Sequence, residues 1–171
     1  IIFALFIFLG VMFYIDILKF FVGPAYYPGL RVVPIVMLGE LFFGIYFNLS
    51  LWYKLIDETR WGAYFSTIGC AATVSIILLF GSTYGYMACA WASFCCNLLM
   101  MVLSYFMGQR KYPIAYDLRT AAVYTALAAL LYVAGMYLPI EQLGWRLAYR
   151  TLLLGVFAAF MIKRDLKIYF R

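Results

Sequence analysis

"VPIVMLGELFFGIYFNLSLWYK" occupies residues 33–54. Nearly every position suits a lipid tail, yet Glu40 and Asn48 stand within it. Their spacing of two helical turns puts both on one face. A charge at mid-bilayer costs roughly 2.5–3.5 kcal/mol on insertion scales, and each Leu, Ile, Phe or Val returns about 0.3–0.6 kcal/mol. Around a dozen such residues fill this run and its immediate flanks. The segment therefore inserts despite Glu40, and it predicts a spanning helix that carries a polar stripe.

The rest of the chain is of the same kind. Of its 171 residues, 68% are hydrophobic and 12% charged, against about half and a quarter in a soluble domain. That excess is too large for one buried core and predicts an all-α, polytopic membrane protein. A spanning helix needs about 20 predominantly apolar residues. Six runs qualify, at 1–21, 31–53, 61–80, 85–107, 120–138 and 146–162. The first ends at Gly23-Pro24, Pro139 stops the fifth, and the sixth is short and flanked by charge. Short connections predict that consecutive spans run antiparallel.

The net charge of +6 follows the loops. Lys54, Arg60, Arg110, Lys111, Arg119, Lys163, Arg164, Lys167 and Arg171 all fall on one side if six spans are counted, against Lys19, Arg31 and Arg146 near span ends on the other. Arg150 lies one turn inside the sixth span. This asymmetry predicts that both chain ends are cytoplasmic. It explains the basic balance without nucleic acid, for which no recognition motif is present. Tyr26, Tyr27, Trp52, Trp61, Tyr137 and Trp145 near span ends read as interfacial anchors.

Within the second span, Glu40, Gly44 and Asn48 form one narrow stripe. An ionisable group inside a span faces a watery cavity or pairs with a neighbouring helix, and for Glu40 both readings stand. Gly39 and Gly44 allow close approach of a helix or ligand. Pro34, near the outer end, is placed to bend the helix. Arg31 either snorkels to lipid phosphate or attracts an anionic ligand at the outer mouth. Asp16 and Lys19 share a face and read as an interfacial pair. Asn97 reads as an interhelical hydrogen bond.

The chain has no histidine, and Cys70, Cys89, Cys95 and Cys96 lie in apolar runs without CxxC spacing. No metal site, cofactor motif or catalytic constellation is legible, so an enzyme is not expected.

"YYPGLRVVPIVMLGELFFGIYFNLSLWYKLIDETRWGAYFSTIG" (26–69), "YGYMACAWASF" (84–94) and "GQRKYPIAYDLR" (108–119) resemble the polysaccharide-flippase branch of the multidrug/oligosaccharidyl-lipid/polysaccharide exporter superfamily. The resemblance is carried by residues 20–120, and the last two spans follow only by hydropathy. It implies a bacterial inner-membrane transporter of two six-helix lobes that moves a lipid-linked oligosaccharide or polysaccharide unit by alternating access. On that reading, residues 1–171 are the C-terminal lobe and an N-terminal lobe belongs to the same chain, as the start on Ile1 in mid-span also suggests. The implied partners are the lipid-linked glycan and membrane lipids. Arg31, Glu40, Tyr46 and Asn48 are the candidate substrate or coupling residues, with Tyr46, two positions from Asn48, facing the same cleft or another side. Glu40 would repel a pyrophosphate, so coupling or pairing suits it better than direct contact. The alternatives are a drug or cation exporter of the same superfamily and a structural or assembly membrane protein.

Overall fold

The computed structural model of the chain describes residues 1–137 and 143–169. Among these there is no strand. The helices are α1 (Ile2–Phe13), α2 (Ile15–Leu18), α3 (Val33–Leu49), α4 (Leu51–Leu55), α5 (Arg60–Tyr84), α6 (Tyr86–Lys111), α7 (Leu118–Tyr137) and α8 (Leu143–Tyr169). Five helical stretches are long and apolar enough to cross a membrane, and six if α1 and its bent continuation count as one span. The chain is thus an all-α polytopic membrane protein. Its outward faces carry Leu78, Leu79, Phe106 and Leu130, all exposed, as a surface that meets lipid requires.

Three departures from the sequence expectations each have a local reason. The first span is not one helix but bends by 57° between Ile2–Phe13 and Ile15–Phe21. Tyr14 leaves the α region at φ −98°, ψ 12°, and the chain continues as α2 and a short 3₁₀ turn over Lys19–Phe21. Pro34 does not bend its helix. It sits in the first turn of α3, where its missing N–H has no intrahelical partner to lose; the irregular segment is the 3₁₀ stretch Pro24–Val32 before it, which holds Pro28. The last helix is longer than its apolar run, because helical backbone continues through the charged residues after Ile162. The stop expected at Pro139 lies outside the described residues.

The chain divides into two compact units, residues 1–24 with 117–171, and residues 25–116. In the second unit α6 packs along both α3 and α5. Gly39 faces Phe94, and Trp52 faces Gly108, so α3 and α6 run parallel. Gly69 faces Cys96 and Met100, so α5 runs against them. Gly85, at φ 54° and ψ −129°, reverses the chain from α5 to α6 in one residue, a conformation essentially restricted to glycine. The core is an aromatic cluster of Tyr46, Trp52, Tyr53, Phe65 and Met100, in which the Trp52 indole donates to Ser104 Oγ at 3.3 Å.

In the first unit α1 packs on both α7 and α8, which also meet each other. Phe8 meets Tyr132 and Phe13 covers Gly135, so α1 and α7 run parallel. Tyr14 shares a hydrogen bond with Thr151 at 2.8 Å, while Phe6 stacks on Phe157, so α8 runs the other way. Within each unit, direction therefore alternates from span to span as short connections demand.

Candidate functional site

Within the membrane-spanning part of the second unit lies a small cleft of about 250 Å³ lined by Glu40 and Phe43 of α3, Thr73 of α5, and Ser93, Cys96 and Asn97 of α6. Two glycines bring its walls together. A Cβ on Gly39 would lie 3.3 Å from the Phe94 Cα, so α3 meets α6 backbone to backbone. A Cβ on Gly69 would lie 2.9 Å from Cys96 Sγ, which seats α5 on the other flank. Small residues at such crossings are what hold helices together without a hydrophobic drive. Asn97 fixes one wall, donating from Nδ2 to the Gly39 carbonyl at 3.1 Å. It is the interhelical hydrogen bond its position suggested. Thr73 turns its hydroxyl back to the Gly69 carbonyl at 3.0 Å.

Glu40 is exposed at the rim, and among the described residues it makes no hydrogen bond or ion pair. Asn48, also exposed, donates to the Gly44 carbonyl of its own helix at 3.0 Å. A Cβ on Gly44 would meet nothing within 4 Å. Gly44 and Asn48 thus open away from the packed helices, with Glu40 on the same stripe at the rim of the cleft. Gly39, not Gly44, is the close approach.

Tyr46 does not belong with them. It is 7% exposed and packs in the aromatic cluster with Trp52, Tyr53 and Phe65. Two residues on a helix turn the chain about 200°, which carries Tyr46 to the face opposite Asn48. Arg31 is exposed in the 3₁₀ stretch before α3. Nine residues separate it from Glu40, on the order of 13 Å along a helix, so the two are not one site.

The connection after α4 is tied down by charge. Glu58 accepts from Lys111 and from the Trp61 indole at 2.7 Å, and Lys111 also lies over the Trp61 ring, 4.8 Å from its centroid. The Lys111 ammonium, and then the indole, hold the Glu58 carboxyl below its ordinary range. This places the basic connections after α4 and after α6 at one end of the unit. A shallow depression of about 630 Å³ runs along α5 over Ser66, Thr67, Cys70, Ala71, Val74 and Ser75. Thr67 and Ser75 bond back to their own helix, so no set of polar groups converges there.

The first unit contains a charged cluster that the sequence reading reduced to one pair. Asp16 accepts from Lys19 at 3.2 Å and from Arg150 at 2.8 Å, and lies 3.3 Å from Arg146. Arg150, 6% exposed, also donates to the Phe13 carbonyl at 3.2 Å and the Gly135 carbonyl at 3.4 Å. The signal was present: Arg146 and Arg150 are four apart and share a helix face.

No family model matches the chain, and neither a curated protein nor a solved structure matches it.

Proposed function

We propose that the chain is part of a transporter that moves a lipid-linked oligosaccharide or polysaccharide unit across a bacterial inner membrane by alternating access, with Glu40 as a coupling group and Asn48 as a sugar contact. The observation that carries this reading is the open stripe on α3. A carboxylate facing lipid tails would go uncompensated, and the Asn48 amide, bonded only to its own helix, would keep unmet polar atoms, which a membrane span tolerates only beside water or a partner. Gly44 leaves room between them for a ligand or for the facing lobe that the family resemblance implies. Glu40 is the one carboxylate among the residues lining the cleft, and no lysine or arginine joins it there, so the cleft complements a proton or cation and repels a pyrophosphate. The glycan phosphate is accordingly placed away from it, near cations such as Arg31, with both chain ends cytoplasmic on the charge asymmetry of the loops.

The same lone carboxylate favours a second reading, a cation or drug exporter of the same superfamily. Glu40→Gln in the full-length protein separates the readings. For a flippase coupled through Glu40, assembly of surface glycan falls at least about tenfold, the equivalent of roughly 1.4 kcal/mol, at unchanged expression. Unchanged glycan assembly at normal expression overturns that reading, and loss of resistance to cationic compounds in the same variant supports the exporter.

A further inference from the structure

We propose that the Asp16–Lys19–Arg146–Arg150 cluster is a binding site for a phosphate-bearing lipid headgroup, formed where the first span breaks. The proposal does not depend on the transport reading, because the cluster lies wholly within the unit of residues 1–24 and 117–171.

The inner half of the cluster is complete. Arg150 is buried, and its guanidinium is engaged by Asp16 and by the carbonyls of Phe13 and Gly135. The outer half is not. Lys19 and Arg146 share the same single carboxylate, so three cations face one anion and two positive charges remain among the described residues. The Arg146 Nε is covered yet has no acceptor, and a covered donor without a partner is costly. Lys19 and Arg146 are both partly exposed, at 46% and 31% of their side-chain surface, so the charge left unmatched among the described residues lies at the rim.

The depth of the rim selects the ligand. Phe20 and Phe21 follow Lys19, and Tyr137 and Trp145 flank the connection between α7 and α8; all four are exposed. Tyrosine and tryptophan rings such as those of Tyr137 and Trp145 sit at the headgroup level. A phosphate diester or monoester at that depth offers several acceptor oxygens and a negative charge to set against Lys19 and Arg146. The planar guanidinium of Arg146 suits it bidentately once the side chain swings from Asp16, and Lys19 supplies a second, point-like contact. The acyl or prenyl tail then lies along the apolar outer face of the unit. A carboxylate-free, neutral headgroup satisfies neither the charge nor the donor.

The test uses the full-length chain in a non-ionic detergent, titrated with phosphatidylglycerol, with undecaprenyl phosphate, with diacylglycerol and with inorganic phosphate. Phosphatidylglycerol binds and diacylglycerol does not. Arg146→Gln and Lys19→Gln each weaken phosphatidylglycerol about fivefold, the effect of one cation at a membrane surface. Arg146→Lys, which keeps the charge but loses the fork, falls between Arg146→Gln and the parent. Should Arg146→Gln fail to fold, the exposed Lys19→Gln still reads the site. Competition by millimolar inorganic phosphate assigns recognition to the phosphate group alone. Its failure to compete assigns it to the lipid, and tighter binding of undecaprenyl phosphate than of phosphatidylglycerol names an isoprenoid carrier. Equal affinity of the parent and the folded variants for phosphatidylglycerol overturns the proposal, as does equal binding of diacylglycerol. Neither result changes with Glu40→Gln, so failure here and failure of the transport reading are read separately.

Discussion

Glu40 and Glu58 are both exposed carboxylates, yet they differ in what surrounds them. Glu58 has a cation and an indole in contact; Glu40 has neither. Because Lys111 holds the Glu58 carboxyl below its ordinary range, the folded protein binds that proton less readily than the unfolded chain. The contribution of this contact is therefore fully present above the ordinary glutamate value of ~4.3 and is lost only as pH falls through the depressed folded value. Trp61 emission reports it directly: the signal stays flat from neutral pH down to the ordinary carboxylate range and changes below it, and Glu58→Gln removes the transition. At this scale the sequence showed that Glu40 and Asn48 share a helix face, because a stripe two turns long follows from helical period alone. It was a poor guide to Tyr46. A tyrosine suits an aromatic core as well as a polar cleft, and only the packing of Trp52, Tyr53 and Phe65 decides between them.

Helix crossings turn on a few glycines whose roles sequence cannot rank. Gly44 and Gly108 both lie in spans, yet a Cβ would meet nothing within 4 Å at Gly44 and would lie 2.8 Å from the Trp52 ring at Gly108. Gly108→Ala is expected to destabilise by about 1–3 kcal/mol through overpacking against a buried indole. Gly44→Ala is expected to be neutral or to stabilise by up to about 1 kcal/mol through helix propensity. Thermal unfolding of the two variants in the same detergent checks both. The break at Tyr14 shows the other limit of reading elements from pattern. Residues 1–21 contain Gly10 but no proline, and nothing local announces a 57° bend. Its partner is Arg150, distant in sequence, whose guanidinium takes up the Phe13 carbonyl at the break. Arg150→Met is expected to cost about 1–3 kcal/mol, the penalty for stranding buried polar partners, read as a lower unfolding temperature with helix content retained.

Across the chain, hydropathy located the spans because each must cross a layer of fixed thickness. It did not show that residues 1–24 associate with 117–171 while 25–116 form their own unit, since a uniformly apolar surface does not name its neighbour. Within each unit, contacts restore the order of ends that alternation demands. Glu58 and Lys111 meet at one end of the second unit, and Thr120 and Arg164 meet at one end of the first, at 2.9 Å, while Lys19 and Arg146 converge on Asp16 at the other. Single cysteines at positions 57 and 112, in a background without the four native ones, are therefore expected to react with an impermeant thiol reagent from the same side of the membrane. Cysteines at positions 20 and 119 are expected to react from opposite sides. Labelling of 57 and 112 from different faces would be incompatible with the parallel course of α3 and α6.

Gly85 joins two long helices with no slack at all. A link of one residue cannot stretch, so α5 and α6 enter the bilayer as a single hairpin and neither can slide lengthwise without dragging the other. Any motion that reshapes the cleft must tilt or roll this pair as one stiff fork against α3. Inserting a few flexible residues at the tip would uncouple its two prongs while leaving every crossing contact in place.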